Sequence, residues 1–549
     1  MYGQSWFGRR ANRSGTLEAI AIVIKKIRVW FGSPVFLLAL AAGLLAVVVQ
    51  SGELGTSDTQ HRLNSAHSWW TSEPPVYPNE YPEFGVHGRD GKLQSWYGMG
   101  QSLLLFPADV VGTFLERMHV FDRYDGVDPT IRNIFVSYTI NPLVTVLTAL
   151  LCLRFLRQLG FTLRQATAGV LALLVLTTHL HYTQNMMENN YIFLLTLAGF
   201  AFQYEWVRTG ERRALLLGSA VLGLNLLTRL TTGIDLLAVS LFVLLVLWLE
   251  GVRGGKLRVR LKTYVANSLP VYAVFGLIDR IYQYYRFGSF FNTYVSVVAR
   301  EARQRDPSLS PKYPWETPFH TGFFGALFAP EKSIFLFDPL LILMLLVMVC
   351  AWRLFRPEIK AYLIATMALV LAYISFYARY TVWSGDFAWG DRYVSTSVEL
   401  AALLALPLLL RHRATLGRAV WAIGIALCAI SGIIQVASLV FWLPLEIYQM
   451  ETLGHPTFVI ALRFKNIAAF ALGKMDAWGM VNYAMHWDPW DFVHITCWNF
   501  LPFLLKRVGA APEWVVHMTL AMWIACLAAL LGVLCRLRRV LKGDWALTE

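Results

Sequence analysis

The feature that most constrains this chain is the length of its charge-free runs. Ser33 to Gln50, SPVFLLALAAGLLAVVVQ, contains no ionisable side chain, and comparable stretches recur to the C-terminus. About 20 apolar residues in a helix cross the hydrocarbon core of a bilayer, where the backbone must satisfy its own hydrogen bonds. The expected fold class is therefore all-α, a polytopic membrane protein. A soluble chain of this size would need roughly a quarter of its residues charged to coat several domains. Here 15% are charged and 56% hydrophobic, which also excludes disorder, collagen, a coiled coil and a small disulfide scaffold.

Reading the apolar runs as helices places about twelve spans near 33–50, 134–156, 165–182, 187–207, 213–230, 233–250, 264–285, 334–354, 359–379, 396–411, 418–443 and 515–537. The net charge of +13 then becomes informative through its distribution. With the N-terminus inside, the segments 1–33, 154–164, 208–213, 250–262, 352–360, 411–418 and 536–549 carry 27 of the 48 Lys and Arg but 6 of the 35 Asp and Glu. That bias is what the positive-inside rule requires. The basic balance thus reports orientation in a membrane, with both termini cytoplasmic, and not a nucleic-acid footprint. Residues 1–32, with Arg9, Arg10, Arg13, Lys25, Lys26 and Arg28, read as a basic amphipathic surface segment followed by an uncleaved anchor.

The same topology puts the long connections 51–133, 286–333, 380–395 and 444–514 outside, and loops of that length are usually functional. The chain divides into the segment 1–32, a transmembrane core 33–443 with three external loops, an aromatic-rich external segment 444–514, and a last span with a basic tail, 515–549. Five of the six cysteines lie in or at the ends of apolar runs, where a free thiol behaves as a small hydrophobe; Cys497 lies in the polar segment.

Polar residues gather in the external loops. Asp58 and Arg62 are four residues apart and share one face of a short helix, which suits a solvated salt bridge or a joint catalytic task. Trp69 and Trp70 suit the gripping of a sugar or a membrane-interface belt. Tyr97-Gly98-Met99-Gly100-Gln101-Ser102 signals a tight turn with exposed N–H groups, a weak match to phosphate binding. His179 and His181 lie beside Gln184, Asn185, Glu188, Asn189 and Asn190, a density expected to face a bundle interior or wet cavity; zinc is a second reading of the two histidines. Arg229 ends the fifth span, and Asp279 and Arg280 interrupt the seventh. Lys332 precedes the eighth span, and Asp391, Arg392 and Tyr393 precede the tenth. Cations arriving at the level of Asp58 from distant parts of the chain form either a phosphate pocket or a set of lipid-headgroup contacts. P-loop, nucleophile-elbow, HExxH and Asp-x-Asp motifs are absent. With every candidate site external and nucleotide sugars cytosolic, an enzyme here needs an activated substrate delivered on a lipid.

The Asp58–Arg62 pair, the Tyr97–Ser102 box, the stretch Gly322-Phe323-Phe324-Gly325-Ala326-Leu327-Phe328-Ala329-Pro330-Glu331-Lys332-Ser333-Ile334-Phe335, and Trp389-Gly390-Asp391-Arg392-Tyr393 together resemble GT-C-type integral-membrane glycosyltransferases. The likeness covers about residues 30–440 and is nearest to bacterial relatives of protein O-mannosyltransferases and aminoarabinose transferases. It implies transfer of a sugar from a polyprenyl-phosphate carrier to a hydroxyl acceptor on a glycan, lipid or protein, with inversion, at the external face of a bacterial inner membrane. It implies Asp58 as general base, standing alone because the neighbour is Thr59 where the family usually has a second acid. It implies Arg392, with Arg62 and Lys332, on the donor phosphate. Glu188 is assigned to orienting the acceptor or the base, and Trp69, Trp70, Tyr97, Gln101, Asp391 and Tyr393 to substrate binding. No cofactor is certain; the co-substrate is a lipid-linked sugar, no metal-binding residue is assigned, and the family leaves a divalent metal open. The competing class is a multi-span lipid or solute transporter, which would place ionisable residues at the bilayer midplane and show internal repeats.

Overall fold

The structure, a computed structural model, describes residues 32–77, 85–124, 126–483 and 492–543. The expected basic segment 1–32 lies outside these residues except for Gly32, as do the tail from 544 onward and His486, Trp487, Asp488, Trp490 and Asp491 of the external aromatic segment. Each of the twelve expected spans coincides with a helix or a pair of helices. Strand structure among the described residues is confined to Val86–His87 against Leu93–Gln94 and a bridge between Phe441 and Trp498. Helices Ile131–Gln158, Leu230–Leu249, Pro357–Tyr377, Arg413–Ala437 and Glu513–Lys542 are each long and apolar enough to cross a membrane, and Pro34–Val49, Leu163–Leu176 and Pro339–Leu354 are apolar but shorter. The chain is an all-α polytopic membrane protein.

Helix boundaries follow local chemistry. Ser33 caps Pro34–Val49 by accepting from the Phe36 N–H, with Pro34 at the first position where its missing donor is harmless. Thr162 and Gln165 form a reciprocal capping box, and Gly210 and Gly288 close their helices in the left-handed conformation. Lipid offers little hydrophobic drive between helices, so packing and buried polar contacts must hold the bundle. Phe155, Phe200, Phe242 and Tyr362, from four helices, meet with ring centroids 5.2–6.5 Å apart, and the Tyr362 hydroxyl donates to Leu400 O at 2.8 Å.

The third expected span is broken. Leu163–Leu176 ends, and a six-residue helix, His179–Gln184, restarts after Thr178, whose N–H donates to Asp338 at 2.8 Å and whose hydroxyl lies 3.0 Å from both Asp338 and Glu399. The two histidines weighed as a zinc pair have different partners: His179 Nδ1 lies 3.2 Å from Glu399, while His181 stacks on Trp389.

Ser57–His67 packs on Met99–Glu116, which in turn packs on Ile131–Gln158. Asp109, buried, joins them by accepting from Trp70 Nε1 (2.8 Å) and Arg132 Nε (2.6 Å), with His67 Nδ1 at 3.0 Å. The Tyr97–Ser102 box is not the expected tight turn. Gly98 is extended and begins the helix, and a Cβ there would stand 2.3 Å from Leu227 O; one at Gly100 would stand 2.2 Å from Thr228 Oγ1. Both glycines serve the close approach of this helix to the end of Arg212–Thr228, beside Arg229. Gly98→Ala is accordingly expected to destabilise the protein by about 1–3 kcal/mol, because the obstructing atoms are backbone. Lowering of the thermal unfolding midpoint of the purified variant checks this; an unchanged midpoint would contradict the packing role.

The segment after residue 443 builds an apolar cluster around Phe441, with Leu445, Leu462, Met475, Phe492 and Cys497. At its centre Arg463 and Glu446, both fully buried, form an ion pair, and Arg463 also donates to Ser438 O and Phe441 O. Gln184 Nε2 donates to Asn499 O at 2.7 Å, fastening this segment to the core.

Candidate active site

Residues 334 apart in sequence meet beside the start of Ser57–His67. Thr56 caps Ser57–His67 by accepting from the Thr59 N–H, which sets Asp58 in the first turn of that helix. The Thr59 hydroxyl donates to Met186 O at 2.5 Å, and Gly55 lies so close to Asn185 that a Cβ would stand 2.6 Å from it. The helix start is thus held against the segment carrying Glu188. Arg392 comes from the loop before Ser395–Ala402 and places Nη1 2.9 Å from Asp58 Oδ2. Behind this pair Glu188, 1% exposed, lies between Arg62 (2.9 Å) and Arg229 (2.6 Å).

Three guanidiniums and two carboxylates are therefore interleaved, and aromatic rings hold the guanidiniums in place. Arg62 lies 4.0 Å from the centre of the Tyr97 ring; Arg229 and Arg392 lie 5.1 and 5.2 Å from that of Tyr393, which stacks on Tyr377. Burial, and after it the Asp58 carboxylate, push the Tyr97 phenol well above its ordinary value, so it stays a neutral donor. Burial holds His61 down at about 4, neutral at physiological pH.

Two cavities flank the Asp58–Arg392 bridge, and Ser57, Asp58, Asp386 and Arg392 line both. The first, about 330 Å³, is also lined by Arg62, Arg229, Trp96, Tyr97, Asp279, Gln283 and Tyr393. It adjoins an apolar groove of about 780 Å³, sharing Leu226, Leu230, Val295, Tyr313, Pro314 and Tyr380 as common walls. The groove runs on past Ile234, Leu236, Leu237 and Phe376, residues of helices long and apolar enough to span a membrane. The second cavity, about 500 Å³, is lined by Glu53, Asp128, Gln60, Asn133 and Trp442, and burial raises both Glu53, to about 7, and Asp128.

Of the residues singled out in the sequence, Asp58, Arg62, Tyr97, Arg392 and Tyr393 line the first cavity, and Glu188 backs it. Gln101 is buried and donates to Met186 O at 3.3 Å. Trp69 and Trp70 lie just beyond the other end of Ser57–His67, against Phe106 and Phe114, and line neither cavity. Lys332 and Asp391 sit on the buried side of the Arg392 loop. Sequence reasoning did not assign Arg229, Asp279, Gln283, Glu53 or Asp386 to a site. A signal existed for Arg229 and Asp279, since a charge at the end of or within an apolar span is costly unless it faces a polar interior. Among the described residues no cluster of three or more His, Cys, Asp or Glu is arranged to hold a metal ion.

No family model and no curated protein matches the sequence. Eleven chains of solved structures are similar to it. One is the Archaeoglobus fulgidus oligosaccharyltransferase in its apo form, 13% identical, with 83% of this chain and 60% of that chain covered and a TM-score of 0.44. Another is the archaeal oligosaccharyltransferase AglB from Archaeoglobus fulgidus in complex with an inhibitory peptide and a dolichol-phosphate, 13% identical with 83% and 60% covered, TM-score 0.42. A third is ArnT from Cupriavidus metallidurans bound to undecaprenyl phosphate, 14% identical, with 90% and 75% covered and a TM-score of 0.37. The chain spans 60% of the length of the two oligosaccharyltransferase chains.

Proposed function

We propose that this protein is a GT-C-type membrane glycosyltransferase that moves a sugar from a polyprenyl-phosphate carrier to a hydroxyl acceptor at the external face of a bacterial inner membrane. The observation that carries the reading is the union of two surfaces that one ligand class needs together. A cavity lined by Arg62, Arg229 and Arg392 suits a phosphate, and the apolar groove beside it suits an isoprenoid chain. The cytoplasmic placing of both termini, with the cavities external, rests on the distribution of Lys and Arg.

In this reading the donor lies with its chain in the groove, its phosphate among the arginines and its sugar toward Asp279 and Gln283. The acceptor enters the second cavity, so that Asp58 stands between the two. The acceptor oxygen attacks the anomeric carbon and gives its proton to Asp58 as the bond to the phosphate oxygen breaks, inverting the centre. Negative charge grows on the departing phosphate in an oxocarbenium-like transition state, and the arginines are already in place to meet it. Arg392 touches both Asp58 and the phosphate side of the cavity, which ties the position of the base to that of the leaving group. Glu188 holds Arg62 and Arg229 apart and oriented, a positioning role. The carboxyl groups of Glu53, Asp128 and Asp386 line the second cavity, which favours an acceptor rich in O–H or N–H donors.

Mass spectrometry of cell-envelope glycans and lipids tests the reading, comparing a strain lacking the gene with one carrying Asp58→Asn. Loss of the same sugar in both is the expected result, and an intact profile in both contradicts transfer. The groove makes a separate prediction. Leu236→Trp is expected to weaken binding of undecaprenyl phosphate by about tenfold or more, and that of the short analogue citronellyl phosphate by less, because the substitution fills the groove and leaves the arginines untouched. Equal effects on both ligands would place the isoprenoid elsewhere.

A further inference from the structure

The resemblance assigned Lys332 to the donor phosphate, yet it lines neither cavity. Its ammonium lies behind the loop that carries Arg392, where Nζ donates to the carbonyl oxygens of Asp386 (2.5 Å), Ala388 (2.7 Å) and Gly390 (3.1 Å). An ammonium has three N–H donors, and here all three have carbonyl partners. Such convergence needs a backbone that turns its carbonyls inward. Gly385, Asp386 and Gly390 all adopt the left-handed conformation, with φ of 73°, 61° and 69°. Glycine takes that conformation without strain and Asp386 at a modest cost, which contacts to its backbone carbonyl offset.

Lys332 is suited to do the holding. It is 6% exposed and stands in a turn after Phe319–Phe328 in which its N–H and that of Ser333 both bond to Ala329 O. On the far side of the loop Asn189 Nδ2 donates to Arg392 O at 2.7 Å, and the Tyr393 N–H donates to Asp391 Oδ1 at 3.1 Å. The loop is therefore fastened along its buried side, while Asp386 and Arg392 face the two cavities from its open side.

We propose that Lys332 is a positioning residue whose buried ammonium shapes the 385–391 loop so that Arg392 is presented to Asp58 and to a phosphate headgroup. The ligand named here rests on the transferase reading; the loop geometry does not. The charged groups facing Lys332 are Asp391, Asp386, Glu331 and Arg392. Burial pushes the ammonium down to about 8 against the pull of the three carboxylates, with Arg392 adding to the fall. The clamp is thus charged near neutral pH and loses its charge and one donor as pH rises through that value, whereas an arginine in its place stays protonated.

The test uses the full-length protein in detergent and reads two quantities. Hydrogen exchange of the peptide covering residues 384–394 reports the loop, and binding of citronellyl phosphate reports the site. Lys332→Met is expected to speed exchange in that peptide and to weaken citronellyl phosphate by about tenfold, while Lys332→Arg stays within about threefold of the unmodified protein. Between about pH 7 and about pH 9 the unmodified protein is expected to lose affinity and loop protection, and Lys332→Arg to keep both. Loop exchange in Lys332→Met equal to that of the unmodified protein, or parallel pH profiles for the unmodified protein and Lys332→Arg, would overturn the proposal. If Lys332→Met does not fold, the pH comparison on the unmodified protein decides: loop exchange that, corrected for its intrinsic pH dependence, does not change overturns it. A loop that loosens as expected in a protein that never binds citronellyl phosphate would uphold the clamp and defeat the donor reading.

Discussion

Asp58→Asn is expected to lower the rate of sugar transfer by about 10²–10⁴-fold, the range typical for loss of a positioned general base. The substitution removes proton acceptance while keeping an oxygen that Arg392 can still bond, so the phosphate side of the cavity should survive it. Affinity for citronellyl phosphate is accordingly expected to change by no more than about threefold, which separates loss of chemistry from loss of binding. Initial rates in membranes containing equal amounts of each protein, with phosphate binding measured in parallel, check the two halves. A variant that transfers sugar at the normal rate would remove Asp58 from the mechanism. One that fails only in binding would make the Asp58–Arg392 bridge a structural support of the donor site.

The second large effect is expected at Glu188. Its carboxylate is buried between Arg62 and Arg229, and alanine there would leave two guanidiniums facing each other in a poorly solvated space. Removing one partner of a buried ion pair typically costs about 3–5 kcal/mol, because the remaining charge stays desolvated. Glu188→Ala should therefore lower the thermal unfolding midpoint strongly, and Glu188→Gln, which keeps an acceptor for one of the two arginines, should lower it less. Under the proposed function, excess citronellyl phosphate should restore part of the lost stability, since a bound anion stabilises the state that binds it. A midpoint indifferent to both substitutions would mean that the arginines find other partners. Recovery by neutral citronellol as readily as by its phosphate would argue against anion binding.

How much of this was legible in the chain varies with the range of the interaction. The twelve apolar runs and the bias of Lys and Arg are local or additive properties, and the helices stand where those runs predict. Breaks in the runs were harder to see. Leu176-Thr177-Thr178-His179 lies inside an expected span and holds no Pro or Gly to break it, and the interruption at Thr178 comes from Asp338 and Glu399, more than 150 residues away in sequence. The glycines of the Tyr97–Ser102 box were visible as special positions, but their purpose was not. Whether such a glycine serves a turn or a close helix contact depends on what lies opposite, here Leu227 and Thr228.

The site divides in the same way. The expectation that Asp58, Arg62 and Arg392 share one side of the spans rests on counting those spans, a matter of hydropathy and charge that each segment carries in itself. Which side of its loop a residue faces does not. Lys332 and Arg392 stand in equally polar, aromatic-rich stretches, yet one points into the protein to hold backbone carbonyls and the other into the cavity. Trp70 suited a sugar or a membrane-interface belt, and the packing of Ser57–His67 on Met99–Glu116 brought it to Asp109. The sequence alone determined the membrane class and the helices, because those depend on the transfer free energy of short segments. Only the tertiary structure decided which charges meet, because pairing across hundreds of residues depends on the helix packing that brings their ends together.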